Sequence, residues 1–315
     1  MSIKSRAIVF NRPNEYSIST IDVPSPSSGQ IRIKTLACGL CQREINVFQG
    51  RIERQFPVVM GHEPFGIVES IGENVEGFEI GDFVSGVGNN SLSEFSLLES
   101  RFSGKIVTQV TRPEFFIVEP IMCVVNAIKI ANVNKNISVL VNGAGFMGNL
   151  LIQTLAKVSG CLNICAADVR EESLVRAMNS GAQKAVFING ENEFYNFKKS
   201  FDIVFEVSGK YGTISMCTSL LRNGGTLCLF GHHFRIEEGI VNEWHLRGIY
   251  VLNTVPWAAP DLTAVVKDAI YYLNNRYFNL EPLISHTVNY LNFEYLISAA
   301  TQSDNMNYTK GVVLF

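Results

Sequence analysis

Short apolar runs separated by turn residues are the dominant pattern of residues 1–105. Runs of about four to eight residues rich in β-branched and aromatic side chains are typical of β-strands. Turn clusters such as residues 24–29 and 72–74 divide these runs. Glycines inside the runs fall where a strand must bend, which favours a small curved barrel. We therefore predict four strands here, at Ala7–Phe10, Ile31–Ala37, Gly66–Ile71 and Asp82–Ser85.

After residue 113 the pattern changes to helix-like apolar segments that alternate with short strands, beginning with the helical segment Glu119–Val133. Further helices are predicted at Asn149–Val158, Glu171–Met178 and Asp261–Leu273. The predicted strands are Ser138–Val141, Asn163–Ala167, Lys184–Ile188, Asp202–Glu206, Gly225–Phe230 and Ile249–Leu252. Alternating strands and helices are typical of a parallel sheet with helices on its faces.

The chain is predicted to form two domains, with one inserted in the other. Its 315 residues exceed what one core usually fills, because single cores stop growing near about 250–300 residues. We predict an α/β fold in which residues 1–122 and 259–315 form a β-barrel domain. Residues 123–258 form a doubly wound parallel-sheet domain in this prediction.

Composition and charge narrow the possible partners. Hydrophobic residues make up 47% of the sequence and charged residues 17%, which indicates a well-filled interior. A net charge of −3 argues against nucleic acid or a membrane as partner, since both favour basic surfaces, and leaves a small molecule. The sequence shows neither a signal-peptide pattern nor an apolar stretch of about 20 residues. Seven cysteines in apolar segments are typical of reduced thiols, so we expect a cytoplasmic protein.

A glycine-rich motif follows the first predicted strand of the parallel sheet. Gly143, Gly145 and Gly148 form the pattern G-x-G-x-x-G, with Phe146 and Met147 inside it. The first glycine permits a tight turn, the second lets the backbone approach a pyrophosphate, and the third allows close helix–strand packing. The helix N-terminus that follows offers free N–H groups to the pyrophosphate. This context predicts a dinucleotide site, and a glycine-rich turn without a ligand is the alternative.

An acidic residue marks the expected ribose site. Asp168 lies 20 residues after Gly148, at the end of the next predicted strand. A carboxylate there binds the adenosine ribose and repels a 2′-phosphate, so Asp168 favours NAD over NADP. Arg170 follows two residues later and would tolerate a phosphate, which is the argument for NADP.

Several side chains are of the types that bind catalytic zinc. Cys41 lies 21 residues before His62, Glu63 follows the histidine, and Glu119 begins a helix-like segment. A thiolate, an imidazole and a carboxylate are typical ligands of a zinc ion that keeps one position open. The structural alternatives are a buried thiol, a core histidine and a carboxylate at a helix start. Cys38 and Cys41 also form a C-x-x-C, which occurs in redox pairs and in zinc sites.

Five motifs occur in order along nearly the whole chain: Cys38-Gly39-Leu40-Cys41, Gly61-His62-Glu63-Pro64-Phe65-Gly66 with Gly72, Glu119-Pro120, the G-x-G-x-x-G, and Lys310-Gly311-Val312-Val313-Leu314. Together they resemble the zinc-binding alcohol and polyol dehydrogenase branch of the medium-chain dehydrogenase/reductase superfamily. The resemblance implies a GroES-like barrel as catalytic domain and a Rossmann domain for NAD. It implies Cys41 and His62 as zinc ligands, completed by Glu63 or Glu119. Glu44 stands where the family has an aspartate bonded to the ligand histidine, and it would orient His62.

Two positions depart from the family pattern. Arg43 stands in place of the serine or threonine that passes the substrate proton outward, and Asn46 in place of the relay histidine. Glu63, Glu119 or a water molecule is then the expected base. We count Arg43 with the catalytic residues because a guanidinium binds a carboxylate or phosphate well. An arginine turned to solvent or to the cofactor is the alternative.

A third departure concerns the number of metal ions. Between residues 84 and 95 the family often inserts a lobe whose four cysteines hold a structural zinc. That segment has no cysteine in this chain. We therefore expect one zinc ion per chain, in the catalytic position.

The predicted function is zinc-dependent hydride transfer between NAD(H) and a polar secondary alcohol or ketone, such as a polyol, a sugar derivative or a hydroxy acid. One alternative is a zinc-free enzyme of the quinone-reductase kind, and another is an NAD-binding protein without turnover on the same fold. A redox role of the C-x-x-C is a more distant alternative. The resemblance also implies a homodimer or homotetramer, formed through the last strand of the cofactor domain near Tyr250–Leu252.

Overall fold

A computed structural model describes residues 2–189, 198–302 and 307–315. Its strands are β1 (Ile3–Arg12), β2 (Glu15–Val23), β3 (Gln30–Leu40), β4 (Val58–Val59), β5 (Glu63–Ile71), β6 (Phe83–Asn89), β7 (Phe95–Lys105), β8 (Ser138–Asn142), β9 (Asn163–Asp168), β10 (Lys184–Phe187), β11 (Phe201–Glu206), β12 (Leu221–Leu229), β13 (Tyr250–Asn253), β14 (His286–Asn289) and β15 (Gly311–Leu314). Its helices are α1 (Gln42–Phe48), α2 (Glu119–Ile130), α3 (Phe146–Lys157), α4 (Glu171–Ser180), α5 (Thr213–Leu220), α6 (Ile240–Arg247), α7 (Leu262–Asn274) and α8 (Phe293–Thr301). Within the described residues, no helix is long and apolar enough to cross a bilayer.

The chain divides into two compact units, Met1–Met122 with Asp261–Phe315, and Cys123–Pro260. The first unit is built on antiparallel strands. β3, β5, β6 and β7 pair in that order, and β7 pairs back with β3, so the four strands close into a barrel. Register shifts in the β3–β5 pair mark irregularities of the kind that bend strands. The buried barrel interior consists of Ile31, Ile33, Val68, Val84 and Leu98.

Strand β15 extends the barrel sheet on the other side of β3 and pairs with β14. A second, three-stranded sheet has the order β2-β1-β4. A larger core lies against these strands and α8, and its aromatic residues include Phe10, Phe48 and Phe293. This core supports α1 and the segment between α1 and β4, from which part of the candidate site is built.

The second unit contains a six-stranded parallel sheet in the order β10-β9-β8-β11-β12-β13. The chain passes from β8 outward to β9 and β10, and then returns to β11 on the other side of β8. The strand order therefore reverses between β8 and β11, and ligands of open α/β sheets bind at the carboxyl ends of the strands beside such a reversal. The core under β11 and β12 is apolar, with Val204, Ile214 and Leu227 fully or almost fully buried.

The α/β fold class predicted from the sequence is confirmed, as a GroES-like barrel unit and a Rossmann-type parallel sheet. Many predicted elements have other bounds in the structure: for example, α3 begins at Phe146, three residues earlier than expected, α2 ends at Ile130, and β12 begins at Leu221. Strands β2, β7 and β14 and helices α1, α5, α6 and α8 were not predicted. Helix α5 is helical despite its many Thr, Ser and Ile residues, because Ile214, Cys217 and Leu220 face the core.

Candidate functional site

Strand pairing brings the candidate metal ligands together. Gly39 of β3 lies opposite Glu63, the first residue of β5, so His62 enters the sheet beside the end of β3. Cys41 follows directly after β3 and caps the N-terminus of α1. A side chain at Gly39 has no room, because a Cβ there would lie 2.0 Å from Glu63 Oε2. Position 39 must therefore be glycine, because β3 passes this carboxylate too closely for any side chain.

The ligand atoms of Cys41, His62 and Glu63 all lie within 4.8 Å of one another. We call these three residues the metal cluster. Among the described residues it is the group with the geometry to hold one metal ion. Glu119 is buried at the start of α2 and is outside the metal cluster, although its charge acts on His62. Of the two carboxylates that the sequence leaves as alternative ligands, Glu63 thus lies in the metal cluster and Glu119 lies outside it.

Glu44 fixes the histidine of the cluster. Its Oε1 lies 2.7 Å from His62 Nδ1, and its Oε2 accepts a hydrogen bond of 3.2 Å from the Cys41 backbone N–H. The carboxylate is fully buried. Contact of Nδ1 with an anionic oxygen favours the tautomer with hydrogen on Nδ1, which leaves Nε2 with a free lone pair for a metal ion.

Lys310 stands beside the third ligand and was not predicted as a site residue. It precedes β15, whose first residue Gly311 pairs with Leu40 of β3. Its Nζ donates a hydrogen bond of 2.7 Å to Glu63 Oε1, and both side chains are buried. The other oxygen, Oε2, also lies 2.7 Å from Nζ but is buried without a hydrogen bond from any described residue. Both oxygens thus contact the same ammonium, and Oε2, which accepts no aligned hydrogen bond, still has a lone pair that a metal ion could use.

The electrostatics of the cluster favour a cation. Burial lowers the pKa of His62, but the hydrogen bonds with Cys41 and Glu44 outweigh it and raise that pKa to about 12. Burial raises the pKa of the Cys41 thiol, and a hydrogen bond with His62 opposes that rise. The three carboxylates of Glu44, Glu63 and Glu119 then face two cations, the Lys310 ammonium and the His62 imidazolium, so negative charge is in excess by one. A divalent ion with thiolate, imidazole and carboxylate ligands would balance this charge, and this donor set fits zinc.

The two departures from the family pattern have different surroundings. Asn46 is buried in α1, and its Oδ1 accepts a hydrogen bond of 3.2 Å from Gln42 Nε2. An amide held in this way does not carry protons as an imidazole does. Arg43 is exposed and lines a small pocket that also contains His62 and Glu44. Arg54 lines the same pocket and was missed, since no motif marks it.

In the second unit the glycine motif forms a tight turn between β8 and α3. Gly143 has φ of +99°, in the left-handed region that favours glycine. A Cβ at Gly148 would lie 1.9 Å from the Gly143 carbonyl oxygen, so this position also requires glycine. Gly145 caps α3, and a Cβ there would meet only Arg170 at 3.5 Å. Space is therefore open at Gly145, at the N-terminal end of α3, where a helix favours an anion.

Asp168 ends β9, as its predicted role in ribose binding requires, but protein donors already engage its oxygens. Oδ2 accepts a hydrogen bond of 2.7 Å from the Ala144 N–H inside the glycine turn. Oδ1 accepts from the backbone N–H of Arg170 at 3.0 Å and from its Nε at 3.1 Å. The carboxylate thus fixes the glycine turn and neutralises the arginine, which lowers the attraction of this site for a 2′-phosphate.

A second carboxylate at the same edge of the sheet was not predicted. Glu206 ends β11 and is fully buried. It accepts hydrogen bonds from the backbone N–H groups of Ser208 and Gly209, at 3.0 and 3.2 Å, from the Thr213 hydroxyl at 3.0 Å, and from the Ser208 hydroxyl. His233 Nε2 is also bonded to it. Three histidines lie between β12 and β13. His233 is held inside the unit by this bond, while His232 and His245 are exposed.

Known proteins share both the sequence and the fold. The model of the alcohol dehydrogenase GroES-like domain matches residues 27–105. The starvation-sensing protein RspB of Escherichia coli strain K12 is 27% identical, over 58% of this chain and 62% of its own length. The D-xylulose reductase of Saccharomyces cerevisiae is 25% identical over 89% of each chain. Residues 27–105 thus form an alcohol dehydrogenase GroES-like domain, and the chain as a whole is similar to zinc-type medium-chain dehydrogenases.

Solved structures agree in fold. The NADH complex of an alcohol dehydrogenase, RspB of Escherichia coli CFT073, matches with a TM-score of 0.86 and 21% identity, over 99% of each chain. At this identity the match concerns the fold. The sequence relatives of this chain are NAD-dependent alcohol and polyol dehydrogenases, which act on CH–OH groups.

Proposed function

We propose that the chain is a dehydrogenase with one catalytic zinc ion that interconverts a polar secondary alcohol and its ketone with NAD(H). The observation that carries this proposal is the metal cluster, with an unsatisfied Glu63 oxygen and an excess of buried negative charge. When bound, zinc supplies a Lewis acid that lowers the pKa of the substrate hydroxyl. The barrel unit is assigned the metal and the substrate, and the parallel-sheet unit the nucleotide.

Cys41, His62 and Glu63 are the proposed ligands. The distances favour Glu63 over Glu119, because Glu63 shares the cluster of ligand atoms and Glu119 does not. Glu44 and Lys310 are positioning residues in this proposal. Glu44 holds the His62 ring through Nδ1, and Lys310 limits the charge that Glu63 brings to the ion.

The proton of the substrate hydroxyl needs a path that avoids the usual relay. Asn46 is bonded to Gln42 and has no titratable group. Glu44 is committed to His62, and Glu63 to Lys310. Glu119 is a further buried carboxylate whose charge reaches His62, and we propose it as the base, acting directly or through water.

The nucleotide site is proposed at the turn of Gly143, Gly145 and Gly148. The N–H groups of Phe146 and Met147 at the start of α3 would bind the pyrophosphate in the space above Gly145. Asp168 and Arg170 would face the adenosine ribose. Their mutual ion pair, at 3.1 Å, supports NAD over NADP because the arginine charge is already balanced.

A cytoplasmic location and a homodimer or homotetramer complete the proposal. All seven cysteines are free thiols, and five of them are buried, which supports a reducing compartment. β13 is an edge strand of the parallel sheet, and Tyr250 at its start is 66% exposed. An edge strand with an exposed aromatic side chain is suited to pair with a second copy.

Metal analysis and kinetics of cluster variants test the proposal. We expect one zinc ion per chain in the wild type, with NAD⁺-linked turnover of a polyol in a panel that includes D-sorbitol and galactitol. Cys41→Ser and His62→Ala should lose the zinc ion and about 10³-fold or more of kcat/KM, since metal polarisation supplies several kcal/mol. Cys38→Ala is the matched control, because Cys38 belongs to the same C-x-x-C but not to the metal cluster.

Two results would contradict the proposal in different ways. Full carbonyl reduction by protein verified as zinc-free would indicate the quinone-reductase type of enzyme. Stoichiometric zinc and NADH binding by fluorescence, without turnover across the panel, would indicate an NAD-binding protein that has lost catalysis. The substitution of the relay histidine by Asn46 is the observation that favours this second outcome.

A further inference from the structure

The pocket beside His62 is built from four segments of the barrel unit. Arg43 comes from α1, Arg54 from the segment between α1 and β4, His62 from the residues before β5, and Asn89 with Asn90 from the end of β6 and the turn after it. Two arginines and two asparagines therefore line a pocket that also includes a proposed zinc ligand. Such a set of donors is unusual for a site that binds an uncharged alcohol.

The positive charge of this pocket is available to a ligand. Arg43 and Arg54 are both exposed, and neither forms a salt bridge with another residue in the described part of the chain. Glu44 also lines the pocket, but His62 and the Cys41 N–H already engage its two oxygens. The pocket thus contains two unpaired cations and one carboxylate that is not free to neutralise them.

The turn that carries the amides is tied to the segment that carries His62. Gly88 N–H donates to the His62 carbonyl at 3.1 Å, and Ser91 N–H donates to the Gly61 carbonyl at 3.0 Å. These bonds lie on either side of Asn89 and Asn90. The backbone of Asn89 and Asn90 is therefore held next to the metal cluster.

The segment that carries Arg54 is fastened at both ends. The backbone N–H groups of Arg51 and Ile52 donate to the Asn46 carbonyl of α1, at 2.8 and 3.3 Å. The side chains of Ile52 and Phe56 pack on the apolar core. Arg54 lies between these anchors, so its backbone is ordered before any ligand binds, which reduces the entropy lost on binding.

We propose that this pocket binds a terminal oxyanion of the substrate, so that the substrate is an anionic secondary alcohol. A guanidinium binds phosphate and carboxylate groups through paired N–H donors, which an uncharged hydroxyl cannot match. The assignment of the ligand as a substrate rests on the proposed dehydrogenase activity. The assignment of an anion-binding site rests only on the residues of the pocket. A phosphate ester carries about −1.5 to −2 charges near pH 7 and matches two arginines, while a carboxylate carries one charge.

Kinetics on matched substrates test the pocket. D-sorbitol, D-sorbitol 6-phosphate and D-gluconate present no charge, a phosphate and a carboxylate on closely similar carbon chains. We expect kcat/KM to be at least about tenfold higher for an anionic member than for D-sorbitol. Arg43→Ala and Arg54→Ala should remove most of that preference, lowering kcat/KM for the anionic compound about 10- to 100-fold more than kcat/KM for D-sorbitol.

Arg51→Ala is the matched control, because Arg51 lies in the same segment, is exposed and does not line the pocket. It should preserve the preference for the anion. Equal kcat/KM for the three compounds would overturn the proposal. An equal loss in Arg51→Ala and Arg54→Ala would overturn it as well, since the effect would then be the overall charge. The better of the two anionic compounds identifies the phosphate or the carboxylate as the group bound.

Calorimetric titration with inorganic phosphate separates this proposal from the dehydrogenase proposal. The zinc-loaded protein is saturated with NADH, which occupies the pyrophosphate site. Phosphate binding that is weakened about tenfold by Arg43→Ala and by Arg54→Ala, but not by Arg51→Ala, would support the anion pocket even if no compound were turned over. Turnover of D-sorbitol without phosphate binding and without preference for either anion would leave the dehydrogenase standing and overturn the pocket.

Discussion

The buried carboxylates of the metal cluster and those at the edge of the parallel sheet differ in how they are satisfied. Glu63 in the barrel unit has one bonded oxygen and one buried oxygen without a hydrogen bond. Asp168 and Glu206 in the parallel-sheet unit have protein donors on both oxygens. Their donors include the backbone N–H groups of Ala144, Arg170, Ser208 and Gly209, in the turns that follow β8, β9 and β11.

This difference distinguishes a ligand carboxylate from one that shapes the backbone. A carboxylate that contacts one ammonium and accepts no hydrogen bond at its second oxygen still has a lone pair to offer a metal ion. A carboxylate that collects N–H groups has its charge compensated already and instead fixes the turn that supplied them. We therefore expect changes at Glu63 to alter metal content, and changes at Asp168 or Glu206 to alter the turns.

The largest expected effect comes from breaking the Glu63–Lys310 pair. Glu63→Gln leaves the buried Lys310 ammonium without a counter-charge, which should lower the free energy of unfolding by about 3–5 kcal/mol. Glu63→Gln combined with Lys310→Met removes both charges and should recover at least half of that loss. Urea denaturation with a chelator present measures the pair without the contribution of zinc.

Glu206→Gln provides the comparison for this experiment. It weakens hydrogen bonds to the turn after β11 and should cost about 1–3 kcal/mol. Its zinc content should equal that of the wild type, whereas Glu63→Gln should lose zinc. Equal zinc content in the two variants would remove the distinction between the two kinds of carboxylate.

Two glycines of the nucleotide turn should respond in opposite ways. Gly145→Ala adds a methyl group in open space, so its melting temperature should stay within about 2 °C of the wild type, while NADH affinity falls at least about tenfold. Gly148→Ala forces a Cβ against the Gly143 carbonyl oxygen and should destabilise the unit itself. Fluorescence titration with NADH and thermal melts separate the two effects. Unchanged NADH affinity in Gly145→Ala would argue against a pyrophosphate at this turn.

The smallest effect concerns a carboxylate at the opposite end of the parallel sheet. Burial raises the pKa of Asp202, but hydrogen bonds from Ser138 and Arg222 outweigh it and hold that pKa below its usual value. A lowered folded-state pKa stabilises the protein above the unfolded pKa of about 3.9, and this contribution disappears as the pH falls through the folded value. Asp202→Asn should therefore cost about 1–2 kcal/mol at pH 7 and progressively less below about pH 4.

Denaturant titrations at several pH values measure this effect. Asp22→Asn is the control, since Asp22 forms an exposed ion pair with Lys4 and should contribute less than about 0.5 kcal/mol. A cost of Asp202→Asn that stayed constant between pH 7 and pH 3 would show that its charge is not the source of the stabilisation.

The sequence predicts those parts of the site that lie in local motifs. Gly143, Gly145 and Gly148 could be predicted as a nucleotide-binding turn because their spacing, the strand before them and the helix after them are all visible in the sequence. Cys41 and His62 could be identified because their motifs sit at the end of β3 and the start of β5, which are paired strands. The choice between Glu63 and Glu119 needed the distances, since both carboxylates have suitable sequence positions.

The remaining parts depend on contacts between distant segments. Lys310 meets Glu63 only because β15 pairs with β3, and His233 meets Glu206 only after β12 has formed. Arg54 lies in a segment without periodicity, and its place in the pocket follows from its anchors on α1 and the core. Strand β2 was missed because the polar residues Ser17 and Ser19 occupy its less exposed positions and the apolar Ile18 is exposed. Its sequence therefore lacks the alternation of apolar and polar residues that marks a strand.

The position of Lys310 also sets when its pair with Glu63 can form during synthesis. Lys310 lies 247 residues after Glu63 along the chain. A ribosome that adds about 5–20 residues per second leaves Glu63 without this counter-charge for about 12–50 s after its own synthesis. The pairing of Glu63 with its counter-charge therefore forms only after β15 has been synthesised and has joined the barrel sheet.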